Sequence, residues 1–214
     1  KLIKPDGKII IEVQYLLNTI RDLTFDNIYH EHTNYWSLNN LKIFLEKINL
    51  KIFKAEKIET HGGSIRIYVS KDENISIDSS VKNMLEEEEK FGLKNISTYF
   101  EFGKKIEKLK SEVTKNLSNL KKKYPKILGY GAPAKATTAL NFFNINKEIE
   151  CIIEDNSLKH GKYIPGVNIP IVSKESLNGE NPAILVLAWN FFEEIKKKNS
   201  DLAHKFISIK DLEN

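Results

Sequence analysis

Four consecutive residues, Tyr29-His30-Glu31-His32, sit inside the segment Phe25–Tyr35, FDNIYHEHTNY. Two imidazoles around a carboxylate, with a phenol beside them, concentrate groups that take and give protons near neutral pH. Three of the chain's five histidines lie here or in the later segment His61-Gly62-Gly63-Ser64. A solvated loop has no packing reason to gather them. The chemistry they suit best is removal of a proton from a carbon beside a carbonyl. Two other readings stay open: histidines that merely structure a polar turn, or a metal site if alternate residues share one face of a strand. Only two imidazoles and one carboxylate are close together, which is thin for a metal, so no metal is expected. The His-Gly-Gly-Ser segment reads equally well as a plain hairpin.

A second set of residues suits anion binding. Gly129-Tyr130-Gly131-Ala132-Pro133-Ala134-Lys135 follows a strand-like run and opens a helical one, with the Gly-x-Gly-x-x-Ala spacing of a phosphate-cradling turn. Glycines let the backbone approach a pyrophosphate, and a helix N-terminus offers N–H donors there. Lys135 adds a full charge. Asp155 ends the next predicted strand, 24 residues after Gly131, where a ribose-binding acid would stand. The alternatives are an NAD site, a site for another nucleotide diphosphate, or a tight turn that binds nothing. The polar loop Asp155–Pro170, with Lys159, His160, Lys162 and Tyr163, follows a strand's carboxyl end, and loops of this length tend to be functional.

The elements that must position these groups fall into two textures. Ile9–Val13 reads as a buried strand, and Lys51–Ile58 and Ser64–Ser70 as an antiparallel pair. Between them Ser37–Asn40 offers a cap for a helix carrying Leu41, Phe44, Leu45 and Ile48, ended by Asn49. Asp72–Ser80 reads as a linker, followed by helices over Val81–Phe91 and Ile96–Lys123. From Lys126 onward strands alternate with helices. Lys126–Tyr130, Glu150–Glu154, Ile169–Val172, Ala183–Ala188 and Phe206–Ile209 are the strands, while Pro133–Phe143, Ser173–Leu177 and Asn190–Lys198 are helical. That alternation predicts a parallel sheet in a small doubly wound α/β domain.

With 214 residues, the chain has room for one large or two small domains. A hydrophobic fraction of 41% with 29% charged residues is ordinary for a globular protein. The net charge of +4 comes from Lys that alternates with Glu and Asp, a solvated helical pattern, so no nucleic-acid partner is expected. Cys151 is the only cysteine, which rules out a disulfide framework and fits a cytoplasmic protein. No apolar run approaches the ~20 residues of a membrane span, and no membrane partner is expected. The chain lacks a starting Met, and the turn Lys1–Gly7 leads straight into a strand, so the first residue is expected to lie inside a longer protein.

Six collinear blocks, KPDGKIIIEV, FDNIYHEHTNYWSL, HGGSIRIYV, GYGAPAKATTALNFF, IEDNSLKHGKYIPGVNIPI and ILVLAWNFFEEI, resemble the sugar C-methyltransferase family. They run from near residue 4 to about 195. That family methylates a carbon of a nucleotide-linked ketodeoxysugar with S-adenosylmethionine. The resemblance covers only its C-terminal portion and divides the chain into three parts. Residues 1–72 would end a class I methyltransferase sheet, 73–123 would be linker and amphipathic helices, and 124–214 a Rossmann-like domain. The family's zinc domain and the Gly-rich motif for the methyl donor have no counterpart here, which implies that the donor site is largely missing and the isolated chain inactive. By the same resemblance His32 is the base, Glu31 orients it, and Tyr29 hydrogen-bonds the sugar or enolate oxygen. His30, His61, Gly129, Gly131, Lys135, Asp155, Lys159 and Tyr163 would hold a nucleotide sugar, expected to be dTDP-linked. The open strand edges of the first seventy residues are expected to be met either by self-association or by firm packing on the C-terminal domain. A nucleotide-sugar-binding module without catalysis and an NAD-dependent oxidoreductase domain are the competing readings.

Overall fold

The computed structural model describes residues 4, 6–176 and 182–213, apart from the side chain of His61. The chain forms two compact units. Unit 1 gathers the residues up to Phe25 with His32–Lys104, and unit 2 gathers Asp26–Glu31 with Lys105–Asn214.

Unit 1 is built on three strands, β1 (Lys8–Gln14), β2 (Lys51–Ile58) and β3 (Ser64–Ser70). The expected pair Lys51–Ile58 and Ser64–Ser70 is present, closed by the His61–Ser64 hairpin, with Ile58 opposite Ser64. Sequence reasoning paired these two and left the partner of the first strand open. In fact β3 lies in the middle and is antiparallel to both neighbours. Alternation explains the arrangement. Ile65, Ile67 and Val69 are fully buried, while Arg66 on the other face pairs with Glu12 of β1 at 2.7 Å.

A helix the sequence pattern did not reveal, α1 (Leu16–Arg21), follows β1 directly, and α2 (Leu38–Glu46) starts at the predicted cap. Ser37 Oγ accepts the Asn40 N–H at 3.1 Å. The next helix, α3 (Ser79–Phe91), adds a second cap to α2 from fifty residues away. Its Glu88, 3% exposed, accepts the N–H groups of Leu38 at 2.5 Å and Asn39 at 3.0 Å. A buried carboxylate at a helix N-terminus meets both orphan donors and the positive end of the dipole. It also helps hold the buried Tyr15 phenol well above its usual range, after burial itself. The helix α3 begins earlier than its apolar pattern suggests because Asp78 caps it, accepting from the Ser80 N–H. The long helix α4 (Ile96–Lys123) has the predicted limits, and the division between units falls inside it.

Unit 2 contains five strands, β4 (Ile127–Tyr130), β5 (Ile152–Ile153), β6 (Ile171–Val172), β7 (Ala183–Val186) and β8 (Phe206–Ser208). Their order is β6-β5-β4-β7-β8 and every pairing is parallel. Helix α5 (Ala134–Phe143) joins β4 to β5, and α6 (Phe192–Lys198) lies between β7 and β8. The predicted helical stretch at Ser173–Leu177 is a 3-10 turn over Lys174–Ser176, and Leu177 lies outside the described residues. This is the expected α/β class: an antiparallel sheet, here of three strands, followed by a small parallel sheet of five. No helix among the described residues is long and apolar enough to cross a membrane.

Replacing Glu88 by Ala strands two buried N–H donors at the start of α2. The expected loss is about 2–3 kcal/mol of unit 1 stability, given the cost of unmet buried donors and the strength of charged acceptors. Urea unfolding followed by circular dichroism measures it, and a loss below about 0.5 kcal/mol would show that Ser37 suffices as the cap.

Candidate functional site

Sheet topology locates the site in unit 2. The chain winds outward from β4 through β5 to β6, then crosses back to β7 and on to β8. The winding therefore reverses between β4 and β7, the position outside the strands' carboxyl ends where the crevice of an open α/β sheet takes its ligand. On one side stand Gly131, Ala132 and Pro133, followed by α5; on the other, Leu187, Ala188 and Trp189. Gly131 has φ +86°, and a Cβ there would lie 2.9 Å from Ala188 Cβ. Glycine is needed for both reasons.

Asp26–Glu31 comes from far upstream in the sequence and packs at this crevice within unit 2. Asp26 Oδ2 accepts the indole N–H of Trp189 at 2.6 Å across 163 positions, and Thr138 Oγ1 on α5 donates to the Ile28 carbonyl at 3.4 Å. Just beyond these contacts come the proton-handling residues. Tyr29 is half-buried with its ring edge-on to His30 at 6.0 Å, and His30 and Glu31 are exposed in a turn. His32, half-buried, follows the turn and belongs with unit 1. The segment is a turn rather than a strand, so alternate residues do not share a face. Among the described residues no group of three potential metal ligands is found.

Charge at the same strand ends is closely paired. Glu154 closes over the glycine turn: it accepts the Ala132 N–H at 2.8 Å and the Asn156 N–H at 3.0 Å, with Lys159 Nζ at 3.4 Å. Burial pushes its carboxyl up, but these N–H donors and the ammonium outweigh burial and hold it below the usual range. Lys159 also donates to the Ala132 carbonyl at 3.0 Å. Asp155 accepts the Tyr130 hydroxyl at 2.7 Å and Lys198 Nζ at 2.5 Å. Those two donors overcome its own burial and lower its pKa. Tyr130 is held well above its normal range by burial and by that carboxylate.

Trp189 is flanked by two cations, Lys135 Nζ at 5.0 Å from the ring centroid and Lys210 Nζ at 4.9 Å. Burial lowers the Lys135 pKa, Lys210 adds to the fall, and Asp26 opposes it. Lys210 also pairs with Glu213 at 2.8 Å, whose carboxyl is pushed up chiefly by burial.

The sequence matches the family described as C-methyltransferase C-terminal domain over residues 59–208. This chain belongs to that family. It is also 33% identical over 197 residues to the C-methyltransferase NovU of Streptomyces niveus, covering 91% of this chain and 47% of that protein. It thus spans about half the length of that relative.

Of the residues singled out in this family member, Gly129, Gly131, Lys135, Asp155 and Lys159 gather at the β4 and β5 strand ends, and Asp26–Glu31 brings Tyr29, His30 and Glu31 into the same unit. Tyr163 stands farther along the loop, 61% exposed, bridged to Pro170. The His61 side chain lies outside the described residues. Sequence reasoning missed Asp26, Glu154, Trp189 and Lys210. Asp26 lies in the motif-bearing segment and Trp189 in a block that was noticed, but neither carries a signal of its own until the fold joins them.

Because Glu154 and Asp155 have folded pKa values below their unfolded ones, the stability they contribute is present above about pH 4 and is lost as pH falls through the folded values. Thermal melts of the parent should therefore drop steadily below about pH 5. Glu154→Ala should destabilise by about 1–3 kcal/mol at pH 7 and flatten that slope; an unchanged slope would assign acid sensitivity to other groups.

Proposed function

We propose that this chain carries the proton-abstraction machinery of a C-methyltransferase acting on a nucleotide-linked ketodeoxysugar through an enolate. One observation supports this most: a turn rich in proton-handling groups, Tyr29-His30-Glu31, packs at the switch point of a parallel sheet, where α/β folds bind ligands. Family membership and the likeness to a C-methyltransferase support this reaction class.

In this reading the His32 imidazole nitrogen takes the proton from the carbon beside the ketone. The electron pair of the broken C–H bond becomes the enolate C=C, and the carbonyl π pair moves onto oxygen. Glu31 orients the imidazole and raises its basicity. The Tyr29 phenol donates to the developing oxyanion, and its placement matters as much as the base because such carbon acids are weak. The sugar nucleotide, dTDP-linked by expectation, is held by unit 2 with Lys135 and Tyr163 facing it. Its diphosphate does not enter the glycine turn, because the Ala132 N–H already serves Glu154 and a second anion would meet that carboxylate. The same occupancy counts against an NAD site there.

S-adenosylmethionine supplies the methyl group in this reading. No described strand of unit 1 leads through a Gly-rich turn into a helix, so these residues do not provide the donor's cradle. Cytoplasmic location follows from the cytosolic sugar nucleotide.

The proton-transfer half can be tested without the donor. Incubating the chain with a dTDP-linked 4-ketosugar in D2O should place deuterium on the carbon beside the ketone, read by proton NMR. His32→Gln should slow this by about 10²–10⁴-fold, the range for a general base. Saturable binding of the sugar nucleotide with no deuterium incorporation would instead support a binding module without catalysis.

A further inference from the structure

Asp26 is the one carboxylate at the crevice whose burial is nearly complete, at 3% exposure, yet whose compensation is sparse. Its Oδ2 accepts the Trp189 indole N–H at 2.6 Å, and among the described residues no hydrogen bond reaches Oδ1. What remains is the electrostatic attraction of Lys135. A buried carboxylate in this position is strongly committed to its few partners, because losing one leaves a charge without solvation. The indole is itself held firmly, with the Lys135 and Lys210 ammonium groups 5.0 and 4.9 Å from its centroid. From Asp26 the chain continues through a tight turn, in which the Tyr29 N–H donates to the Asn27 carbonyl at 3.1 Å, directly to the proton-handling residues.

We propose that Trp189 is a positioning residue: through Asp26 it pins the start of the Tyr29–His32 turn to the carboxyl end of β7 and so presets the phenol and carboxylate of that turn. The assignment of a reaction to the turn rests on the reading above; the anchor itself does not. Trp189→Phe keeps the ring and both cation contacts but removes the N–H. Asp26 is then left buried with no hydrogen bond and moves toward water, taking the turn with it. Asp26→Asn keeps an acceptor for the indole and removes the charge, so the anchor is weakened but not lost.

Hydrogen–deuterium exchange by mass spectrometry on the 214-residue chain tests the anchor, with β4 and β7 peptides as the control for folding. In Trp189→Phe, amides of residues 26–32 should exchange at least about tenfold faster, as local opening replaces protection, with β4 and β7 unchanged; Asp26→Asn should fall between. The wash-in assay then reads position. Its turnover should fall by about 10–100-fold, the cost of a misplaced catalytic group, with KM moving less than about threefold. Unchanged exchange over 26–32 overturns the anchor. A raised KM with full turnover overturns it too, making Trp189 a surface that the substrate rests on. Should the parent show no wash-in at all, the proton-abstraction reading fails, and the exchange result alone decides the anchor. If Trp189→Phe loosens β4 and β7 as well, the intermediate behaviour of Asp26→Asn, with those strands intact, is the deciding result.

Discussion

The crowding around β4 sets the terms for everything at the candidate site. All four of its residues are buried, and it has a parallel neighbour on each side. A side chain at position 129 would come within 2.7 Å of Ile152 and 3.2 Å of Leu187, so Gly129 is what allows β5 and the end of β7 to close on the strand. Gly131 then turns the chain against Ala188. Packing already requires both glycines that look like a phosphate cradle, so their spacing by itself says less about a ligand than it first suggests. The reversal of winding lies beside them, and a segment from elsewhere in the chain packs there through Asp26 and Trp189.

Charge at these strand ends is organised in matched sets rather than as a field of one sign. Lys159 answers Glu154, Lys198 answers Asp155, and Lys210 answers Glu213. Asp26 and Lys135 face each other across Trp189. The exposed pairs among these contribute little to stability. The half-buried ones matter more, because each charge has been taken partly out of water and its partner must stay in place. Glu154 shows the consequence for function. A carboxylate that already takes a backbone N–H at the start of α5 occupies the position an incoming phosphate would use.

Much of this was legible in the sequence. Strands and helices with strong periodicity, such as β2, β3 and α4, have the limits their patterns predict, because burial on one face dictates residue type along the whole element. The parallel sheet follows from alternation of short apolar runs with a helical one. Helix α1 was not legible: Leu16–Arg21 is six residues long, has no capping side chain and borrows its start from β1. The central place of β3 depends on long-range pairing that no local pattern encodes. The catalytic candidates were conspicuous by composition, since Tyr, His, Glu and His rarely adjoin by chance. Their anchor was not, because an Asp and a Trp separated by 163 positions are each unremarkable until a fold brings them to 2.6 Å. Glu88 and Glu154 are similar cases: each looks like one more surface glutamate, yet Glu88 is buried, Glu154 half-buried, and both accept backbone N–H groups.

An anchor at one end of a short segment constrains its residues unequally. Each residue adds at most about 3.5 Å of reach, so Tyr29, three positions beyond Asp26, is confined more closely than His32, six positions beyond. That inequality suits the two tasks of the proposed reading, Tyr29 as donor to the oxyanion and His32 as base. An oxyanion donor contributes most when it is already aimed at the place where charge will develop and needs no reorganisation. A base has to meet a C–H bond whose direction changes as the carbon flattens toward the enolate, and some latitude in the imidazole helps it follow. In the proposed reading, a tightly preorganised donor to the oxyanion beside a more adaptable base follows from the Asp26–Trp189 bond simply because it lies at the near end of the turn.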